Sequence, residues 1–188
     1  HLSIRRQRQM CIRDSLNTEV YFSGKTGEWV YRPIGEVLGK LDQIALTKGI
    51  DRRILHKIFS VTVEMSNHRK GGTVIIGDHE EVFKQSEAPR LRLGGIKILD
   101  MKGPQERHLF NLATQEFALV INHEGEPKGS SVRLKAIVPE AAKMELTETD
   151  GGRHRSSAEI SASTNSVAFV VSDDGPITVY VGGKRLIR

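Results

Sequence analysis

The sequence predicts a single α/β domain in which a mixed central β-sheet is flanked by helices. Short apolar runs typical of buried strands alternate with segments whose apolar residues recur at helical spacing. Val, Ile and Leu are plentiful while aromatic residues make up only 5% of the 188 residues, as expected where strands are covered by helices. Such an alternation of helices and strands is typical of α/β domains.

The first predicted elements lie between residues 19 and 66. Glu19-Val20-Tyr21-Phe22 fits a short strand. The apolar spacing over Ile34 to Lys48 predicts a helix that ends at Gly49. Asp51 is expected to cap a second helix, which runs to about Ser66.

A short buried strand is predicted at Thr73 to Asp78, after a pair of glycines. The next run, Asp78-His79-Glu80-Glu81, has the residue types of a metal cluster. More often such a run begins a helix, because the helix dipole favours acidic residues at the N-terminus. We prefer this second interpretation.

The middle of the chain is predicted to be less regular. Residues 84–95 form a basic loop, and Ile96 to Asp100 is either a short strand or an extended link. Pro104 suits the first turn of a helix that runs to about Thr114. Strands are predicted at 115–122 and 131–134, separated by turns at 123–126 and 125–129.

The most informative stretch is Asp150-Gly151-Gly152-Arg153-His154-Arg155-Ser156-Ser157, which opens a predicted helix after a polar connection over 139–149. Glycines allow a ligand to approach the backbone, and the first helical turn leaves N–H groups unpaired. A helix N-terminus favours anions, and Arg153 and Arg155 add charge-assisted donors. The pattern therefore indicates a polyphosphate site. The alternative is a solvated basic turn, the commoner case for an isolated Arg-His-Arg.

Two strands are predicted next, a buried one over 165–171 and an alternating one over 177–181, joined by a turn at Asp174-Gly175. The order of glycine, Arg-His-Arg, helix, strand ending Val-Val-Ser, acidic turn and Ile-Thr-Val strand resembles the diadenylate cyclase (DAC) domain family. The helix, two glycines and strand ending Gly77-Asp78 resemble the entry into that family's sheet.

The resemblance implies a role for each residue of the motif. In the DAC family, Arg-His-Arg and the Ser after the strand hold ATP phosphates. Phosphate would therefore be held by the backbone N–H groups of Gly152 to Ser156, together with the side chains of Arg153 and Arg155. His154 would contact phosphate or metal, and Ser172 would donate a hydrogen bond to the terminal phosphate.

The family's second signature, Asp-Gly-Ala at the start of a strand, becomes Glu116-Phe117-Ala118. In the family the Asp helps to bind a divalent metal and to activate the ribose 3′-hydroxyl that attacks the facing ATP. Glu116 keeps a carboxylate, one methylene longer, so metal binding is retained in principle. Phe117 places a ring where the family leaves room beside the nucleotide, and Gly152 stands where many members carry Thr or Ala.

The resemblance thus implies a nucleotidyltransferase with Glu116, Arg153 and His154 as catalytic residues. Nucleotide-binding residues would be Phe117, Ala118, Gly152, Arg153, His154, Arg155, Ser156 and Ser172. Mg²⁺ or Mn²⁺ would be held by Glu116 and His154. Two ATP would condense into the second messenger cyclic di-AMP with release of pyrophosphate, across a homodimer or higher oligomer with facing active sites. The alternative, favoured by Phe117, is a catalytically weak or inactive DAC-like sensor module that binds nucleotide.

The N-terminus carries a different signal. Residues 5–15 look like the in-frame translation of a transposase sequencing adapter, so we expect residues 1–15 to be a non-native arm. Residues 16–188 would then be the DAC-like nucleotide-binding domain, as a whole protein or as part of a longer one. A basic amphipathic arm touching RNA or membrane is the competing interpretation. The formal net charge of +5 includes four arginines and one aspartate of this arm, so charge gives little support to nucleic-acid binding.

Several other classes of function lack their motifs. Cys11 is the one cysteine, so the sequence has neither a disulfide framework nor a cysteine zinc site. It has no His-x-x-x-His pair, Gly-x-Ser-x-Gly elbow or Gly-x-Gly-x-x-Gly fingerprint. No apolar run approaches transmembrane length and nothing reads as a signal peptide. We expect a cytoplasmic protein with no nucleic-acid partner.

Overall fold

The computed structural model describes residues 12–13, 18–23, 28–135, 144–146, 150–173 and 176–187. The chain divides into two compact units, residues 1–41 and 42–188. The predicted turn at Asp174-Gly175 and most of the predicted connection over 139–149 lie outside the described residues, as does the predicted arm apart from Ile12 and Arg13.

The first unit contains a small antiparallel sheet. Its strands are β1 (Ile12–Arg13), β2 (Thr18–Ser23) and β3 (Glu28–Pro33), in the order β1-β2-β3. The strand predicted at Glu19 to Phe22 lies within β2, so that prediction is confirmed.

The described helices are α1 (Ile34–Lys48), α2 (Arg52–Asn67), α3 (His79–Lys84), α4 (Pro104–Ala113) and α5 (Gly152–Ser163). The bounds of α1 are those predicted from the apolar spacing. Asp51 caps α2, because its carboxylate accepts a hydrogen bond of 2.9 Å from the backbone N–H of Arg53. Pro104 occupies the first turn of α4, where its missing N–H costs nothing. None of the helices among the described residues is long and apolar enough to cross a membrane.

A seven-stranded mixed sheet forms the centre of the second unit. Its strands are β4 (Gly72–Gly77), β5 (Leu91–Arg92), β6 (Ala118–Asn122), β7 (Pro127–Val132), β8 (Ser166–Val171), β9 (Ile177–Val181) and β10 (Lys184–Ile187). The order is β10-β9-β8-β4-β6-β7-β5, with β4 parallel to β6 and the other neighbours antiparallel. The predicted mixed α/β sheet is therefore confirmed.

The three central strands explain the continuous apolar runs in the sequence. Every residue of β4, β6 and β8 is buried, so both faces of these strands are covered and most of their side chains are apolar. One core cluster joins Ile75 of β4, Val120 of β6 and Val170 of β8 to Ala158 and Ile160 of α5. The helix that begins with the Arg-His-Arg motif is thereby anchored on the centre of the sheet.

The acidic run at Asp78 begins a helix, as we preferred. The Asp78 carboxylate accepts a hydrogen bond of 3.2 Å from the backbone N–H of Glu81 and caps α3. No group of three or more His, Cys, Asp or Glu in the described part of the chain is arranged to hold a metal ion.

Two predictions along the β7 side of the sheet were wrong in their bounds. Residues 84–95 include the short strand β5, and β7 begins at Pro127, within the predicted turn, and ends at Val132 rather than residue 134. The small and polar composition of β7 hides it from a pattern of apolar residues, because pairing with β6 determines it. Ile96 to Asp100 forms neither a strand nor an extended link, because residues 98–100 are a turn in which the backbone N–H of Asp100 donates to the carbonyl of Lys97 at 3.0 Å.

Candidate functional site

Three strand ends meet at one edge of the large sheet. Gly72 of β4 pairs with Val171 of β8, and Thr73 of β4 pairs with Ala118 of β6. Gly71, Phe117 and Ser172 are the next residues outward on these strands, so they share this edge. Because adjacent strands lie about 4.8 Å apart, the backbones of Ser172 and Phe117 are about 10 Å apart across β4.

The N-terminus of α5 lies at the same edge. Gly151 is the N-cap residue in an extended conformation, and no side chain caps the helix with a hydrogen bond. A Cβ added to Gly151 or Gly152 would meet none of the described residues within 4 Å. The backbone N–H groups of the first turn are therefore approachable, as an anion site requires.

A cavity of about 540 Å³ opens beside this helix start. Four predicted site residues line it: Gly152, Arg153, His154 and Ser172. Its other lining residues are Asp150, Gly151, Val170, Asp173, Pro176, Thr178 and Arg185. The predicted phosphate residues thus converge on a space large enough for a small ligand.

An aspartate holds Arg153 at the cavity. The guanidinium Nη1 of Arg153 lies 3.1 Å from Oδ2 of Asp173, and Oδ1 of Asp173 accepts a hydrogen bond of 3.1 Å from the backbone N–H of Gly71. A Cβ at Gly71 would collide with both side chains, so this contact needs the glycine. Both Arg153 and Asp173 remain partly exposed, which leaves the arginine within reach of an anionic ligand.

His154 is held through both ring nitrogens. Its Nε2 lies 3.0 Å from Oγ of Ser172, and its Nδ1 lies 3.1 Å from the hydroxyl of Tyr180. The rings of His154 and Tyr180 also meet edge to face, with centroids 5.9 Å apart. The sequence motif therefore yields one fixed histidine orientation in the folded domain.

A largely buried ion pair lies next to this contact. Arg185 donates from Nη2 to the hydroxyl of fully buried Tyr180 at 2.9 Å and to Oδ2 of Asp150 at 2.6 Å. Burial lowers the pKa of Arg185, but the hydrogen bonds and charges of Tyr180 and Asp150 outweigh burial and raise that pKa above its usual value. Arg185 therefore stays charged at the wall of the cavity.

Three other predicted residues lie away from the cavity lining. Arg155 is exposed on α5, and Ser156 donates from its hydroxyl to the backbone carbonyl of Arg153 at 3.3 Å. The side chain of Ala118 is buried in the core cluster. Ala118 can therefore contact a nucleotide at most through its backbone.

Glu116 and Phe117 occupy the β6 end of the edge, outside the cavity. Glu116 pairs with Arg90, with Oε2 and Nη1 3.2 Å apart, and both side chains are about two-thirds exposed. Two guanidiniums lie near the Phe117 ring, that of Arg90 at 5.2 Å and that of Arg133 at 5.9 Å from the ring centroid. Phe117 thus makes two cation–π contacts at the position where the DAC family has the glycine of its Asp-Gly-Ala motif.

The residues at this edge suit a divalent cation only in part. Glu116 offers the exposed carboxylate oxygens that Mg²⁺ and Mn²⁺ prefer. His154, in contrast, has both ring nitrogens engaged by Ser172 and Tyr180. The fit favours Glu116 over His154 as a ligand, and the metal itself stays a prediction.

Phe117 keeps a backbone conformation typical of glycine, with φ of +68°. We therefore expect Phe117→Gly to be more stable than Phe117→Ala, the reverse of the usual order, by about 1–2 kcal/mol. Both variants lose the ring, but only alanine retains a Cβ in the left-handed region. Urea unfolding of the two variants measures the difference. Equal stabilities, or a more stable alanine variant, would contradict a strained backbone at this position.

Some residues of the site were not singled out from the sequence. Asp173 directly follows the predicted Ser172, so its position in the motif was the available signal. Tyr180 looks like one more buried residue of an alternating strand. Arg90 and Arg185 carry no local signal, since the fold brings them to the site from distant parts of the chain.

A helix N-terminus with open glycines and a paired arginine, set against the end of a buried strand of an α/β domain, is an arrangement that suits an anionic ligand. The chain belongs to the DAC family: the family model described as "DisA bacterial checkpoint controller nucleotide-binding" matches residues 60–185. The resemblance found in the sequence is thereby confirmed.

Solved structures share this fold at low sequence identity. DacA from Staphylococcus aureus, as a double cysteine mutant, is 16% identical with a TM-score of 0.51, over 72% of this chain and 87% of that one. A hypothetical membrane spanning protein from Bacillus cereus is 14% identical with a TM-score of 0.52, over 67% of this chain and 58% of that one. The chain thus spans little more than half of the Bacillus cereus chain. No curated protein sequence matches it.

Proposed function

We propose that this protein is a diadenylate cyclase, which condenses two ATP into cyclic di-AMP and releases two pyrophosphates. The observation that carries the proposal is the convergence of Arg153, His154 and Ser172 on one cavity at the start of α5. This convergence lies within the part of the chain that the DAC family model matches. The proposal places the protein in the cytoplasm, where ATP is available.

The phosphates of ATP would lie at the start of α5. Arg153 would exchange its single contact with Asp173 for phosphate oxygens, which accept charge-assisted hydrogen bonds from a guanidinium, frequently two at once. Ser172 would add a hydroxyl donor, and the N–H groups of Gly152 and the following residues would complete the cradle. Such prearranged donors stabilise the charge that develops during phosphoryl transfer.

The ribose and base would extend along the sheet edge towards β6. There Glu116 would orient the 3′-hydroxyl and would hold Mg²⁺ or Mn²⁺, which would neutralise phosphate charge when bound. Each 3′-oxygen forms a bond to the α-phosphorus of the facing ATP, while the bond from that phosphorus to pyrophosphate breaks and the hydroxyl proton passes to solvent. The reaction therefore requires two subunits with facing sites.

One observation favours a second function. The Phe117 ring and the Arg90–Glu116 pair occupy the end of the edge at which the 3′-hydroxyl would be activated. A domain in which the Phe117 ring and this ion pair stay in place would bind nucleotide at α5 without transferring a nucleotidyl group. Such a domain would be a nucleotide-binding sensor module.

Incubation of the full chain with ATP and Mn²⁺, followed by chromatography for cyclic di-AMP, tests the cyclase. Product formation that rises with the square of protein concentration at low concentration is the expected result, because two subunits must meet. Calorimetry with ATP is run beside it. ATP binding without product would favour the sensor module. The absence of both product and ATP binding would contradict both proposals.

Releasing Glu116 from its ion pair should raise activity. We expect Arg90→Ala to increase product formation by up to about fivefold, because an exposed ion pair of about 0–1 kcal/mol no longer competes for the carboxylate. Product formation at several Mn²⁺ concentrations measures the change, which should be largest at low Mn²⁺. Arg52→Ala, on the exposed part of α2, is the control. A loss of activity in Arg90→Ala would instead assign Arg90 to the binding of nucleotide.

A further inference from the structure

A chain of polar contacts leads from the buried side of the cavity to the hydroxyl of Ser172. It passes from Asp150 to Arg185 at 2.6 Å, to Tyr180 at 2.9 Å, to His154 at 3.1 Å and to Ser172 at 3.0 Å. Asp150 and Arg185 are only 9% and 12% exposed, and Tyr180 is fully buried. Groups so enclosed have few alternative positions.

The chemistry of the donors gives this chain a direction. A guanidinium has only N–H donors, so the Tyr180 oxygen accepts from Arg185. The hydrogen of the fully buried Tyr180 hydroxyl then needs an acceptor, and Nδ1 of His154 at 3.1 Å can accept it, which makes Nδ1 the acceptor in this arrangement. A neutral imidazole has one donor and one acceptor, so the ring hydrogen is on Nε2 and is donated to Oγ of Ser172.

We propose that Tyr180 and Arg185 are positioning residues that hold His154 in its Nε2–H tautomer, so that the hydroxyl hydrogen of Ser172 is directed into the cavity. The serine oxygen accepts from His154 and keeps its own hydrogen for a phosphate oxygen. The proposal rests on the proposed function only for the identity of that phosphate, because the tautomer is a property of the protein alone.

The first measurement is ¹⁵N NMR of the imidazole of His154 in the full chain at alkaline pH. A pyrrole-type shift at Nε2 and a pyridine-type shift at Nδ1 are the expected results. Tyr180→Phe keeps the ring packing and removes the hydroxyl, so its two nitrogen shifts should move towards each other as the tautomers mix. A wild-type ring with its hydrogen on Nδ1, or unchanged shifts in Tyr180→Phe, would overturn the proposal.

The second measurement is a double-mutant cycle with ATP affinity as the readout. We expect Tyr180→Phe and Ser172→Ala each to weaken ATP binding by about two- to tenfold, the effect of one neutral hydrogen bond. In the double variant the losses should not multiply, because Tyr180 acts through Ser172. Fully multiplicative losses would show that Tyr180 has only a structural role and would overturn the proposal.

The two measurements separate this proposal from the proposed function. Arg185→Lys keeps the charge beside Asp150 but replaces the planar fork by a point charge, so it should mix the tautomers partly. Arg52→Lys on the exposed part of α2 is its matched control and should leave the shifts of His154 unchanged. An Nε2–H ring that responds to Tyr180→Phe in a protein without cyclase activity would support the positioning role and contradict the cyclase alone.

Discussion

Arg153→Ala should weaken ATP binding by about 10- to 150-fold, because a hydrogen bond to a charged group contributes about 1.5–3 kcal/mol. The guanidinium is one of the few charged donors that line the cavity, and it is partly exposed and ready to exchange Asp173 for phosphate. Calorimetry with ATP measures the loss. Product formation at subsaturating ATP should fall by at least the same factor.

Arg155→Ala is the sharpest comparison for this experiment. The motif predicts equal roles for the two arginines, whereas Arg155 is exposed and does not line the cavity. We therefore expect Arg155→Ala to weaken ATP binding by less than about fivefold, the range of surface electrostatic effects. Unchanged ATP affinity in Arg153→Ala would mean that the helix start is a solvated basic turn. Equal losses in the two variants would mean that the ligand lies outside the cavity.

Glu116→Ala should reduce the formation of cyclic di-AMP by about 10²-fold or more, the size typical of a lost group in acid–base chemistry. ATP affinity should change little, since Glu116 lies outside the cavity that is proposed to hold the phosphates. Chromatography of the product and calorimetry with ATP separate the two effects. Glu124→Ala, exposed in the turn at the other end of β6, is a matched control that should retain activity.

Restoring the family motif extends this test. The double variant Glu116→Asp with Phe117→Gly recovers Asp-Gly-Ala, removes the ring and its two cation–π contacts, and suits the left-handed backbone of residue 117. We expect product formation to rise, because misplacement of a catalytic group by about 1 Å can cost about 10²-fold. For the single variant, full cyclase activity in Glu116→Ala would show that the Glu116 carboxylate has no role in the mechanism.

The elements with strong local patterns were predictable. Apolar spacing gave α1 its bounds, and the continuous apolar runs marked β4, β6 and β8, because both faces of these strands are buried. Weak patterns did not predict strands whose bounds depend on hydrogen-bond pairing with a neighbouring strand. The polar strand β7 was shifted and β5 was missed, since an edge strand of two residues depends on hydrogen bonds to its neighbour.

The candidate site likewise has a part that was predictable from the sequence and a part that was not. The Arg-His-Arg motif and Ser172 were found because their order along the chain is distinctive, and the structure brings Arg153, His154 and Ser172 to one cavity. The same motif gave no means of distinguishing Arg153 from Arg155. Residues two positions apart on a helix point in nearly opposite directions, and only the packing of α5 on the sheet decides which arginine faces the cavity.

The sequence by itself determined the α/β class, the DAC family and the position of the Arg-His-Arg motif, because these depend on local periodicity and on the order of residues along the chain. The tertiary structure alone decided that Arg90 pairs with Glu116 and that Arg185 and Tyr180 hold His154. These contacts join residues from separate strands, loops and helices. Their geometry follows from strand order and register, which no short pattern in the sequence encodes.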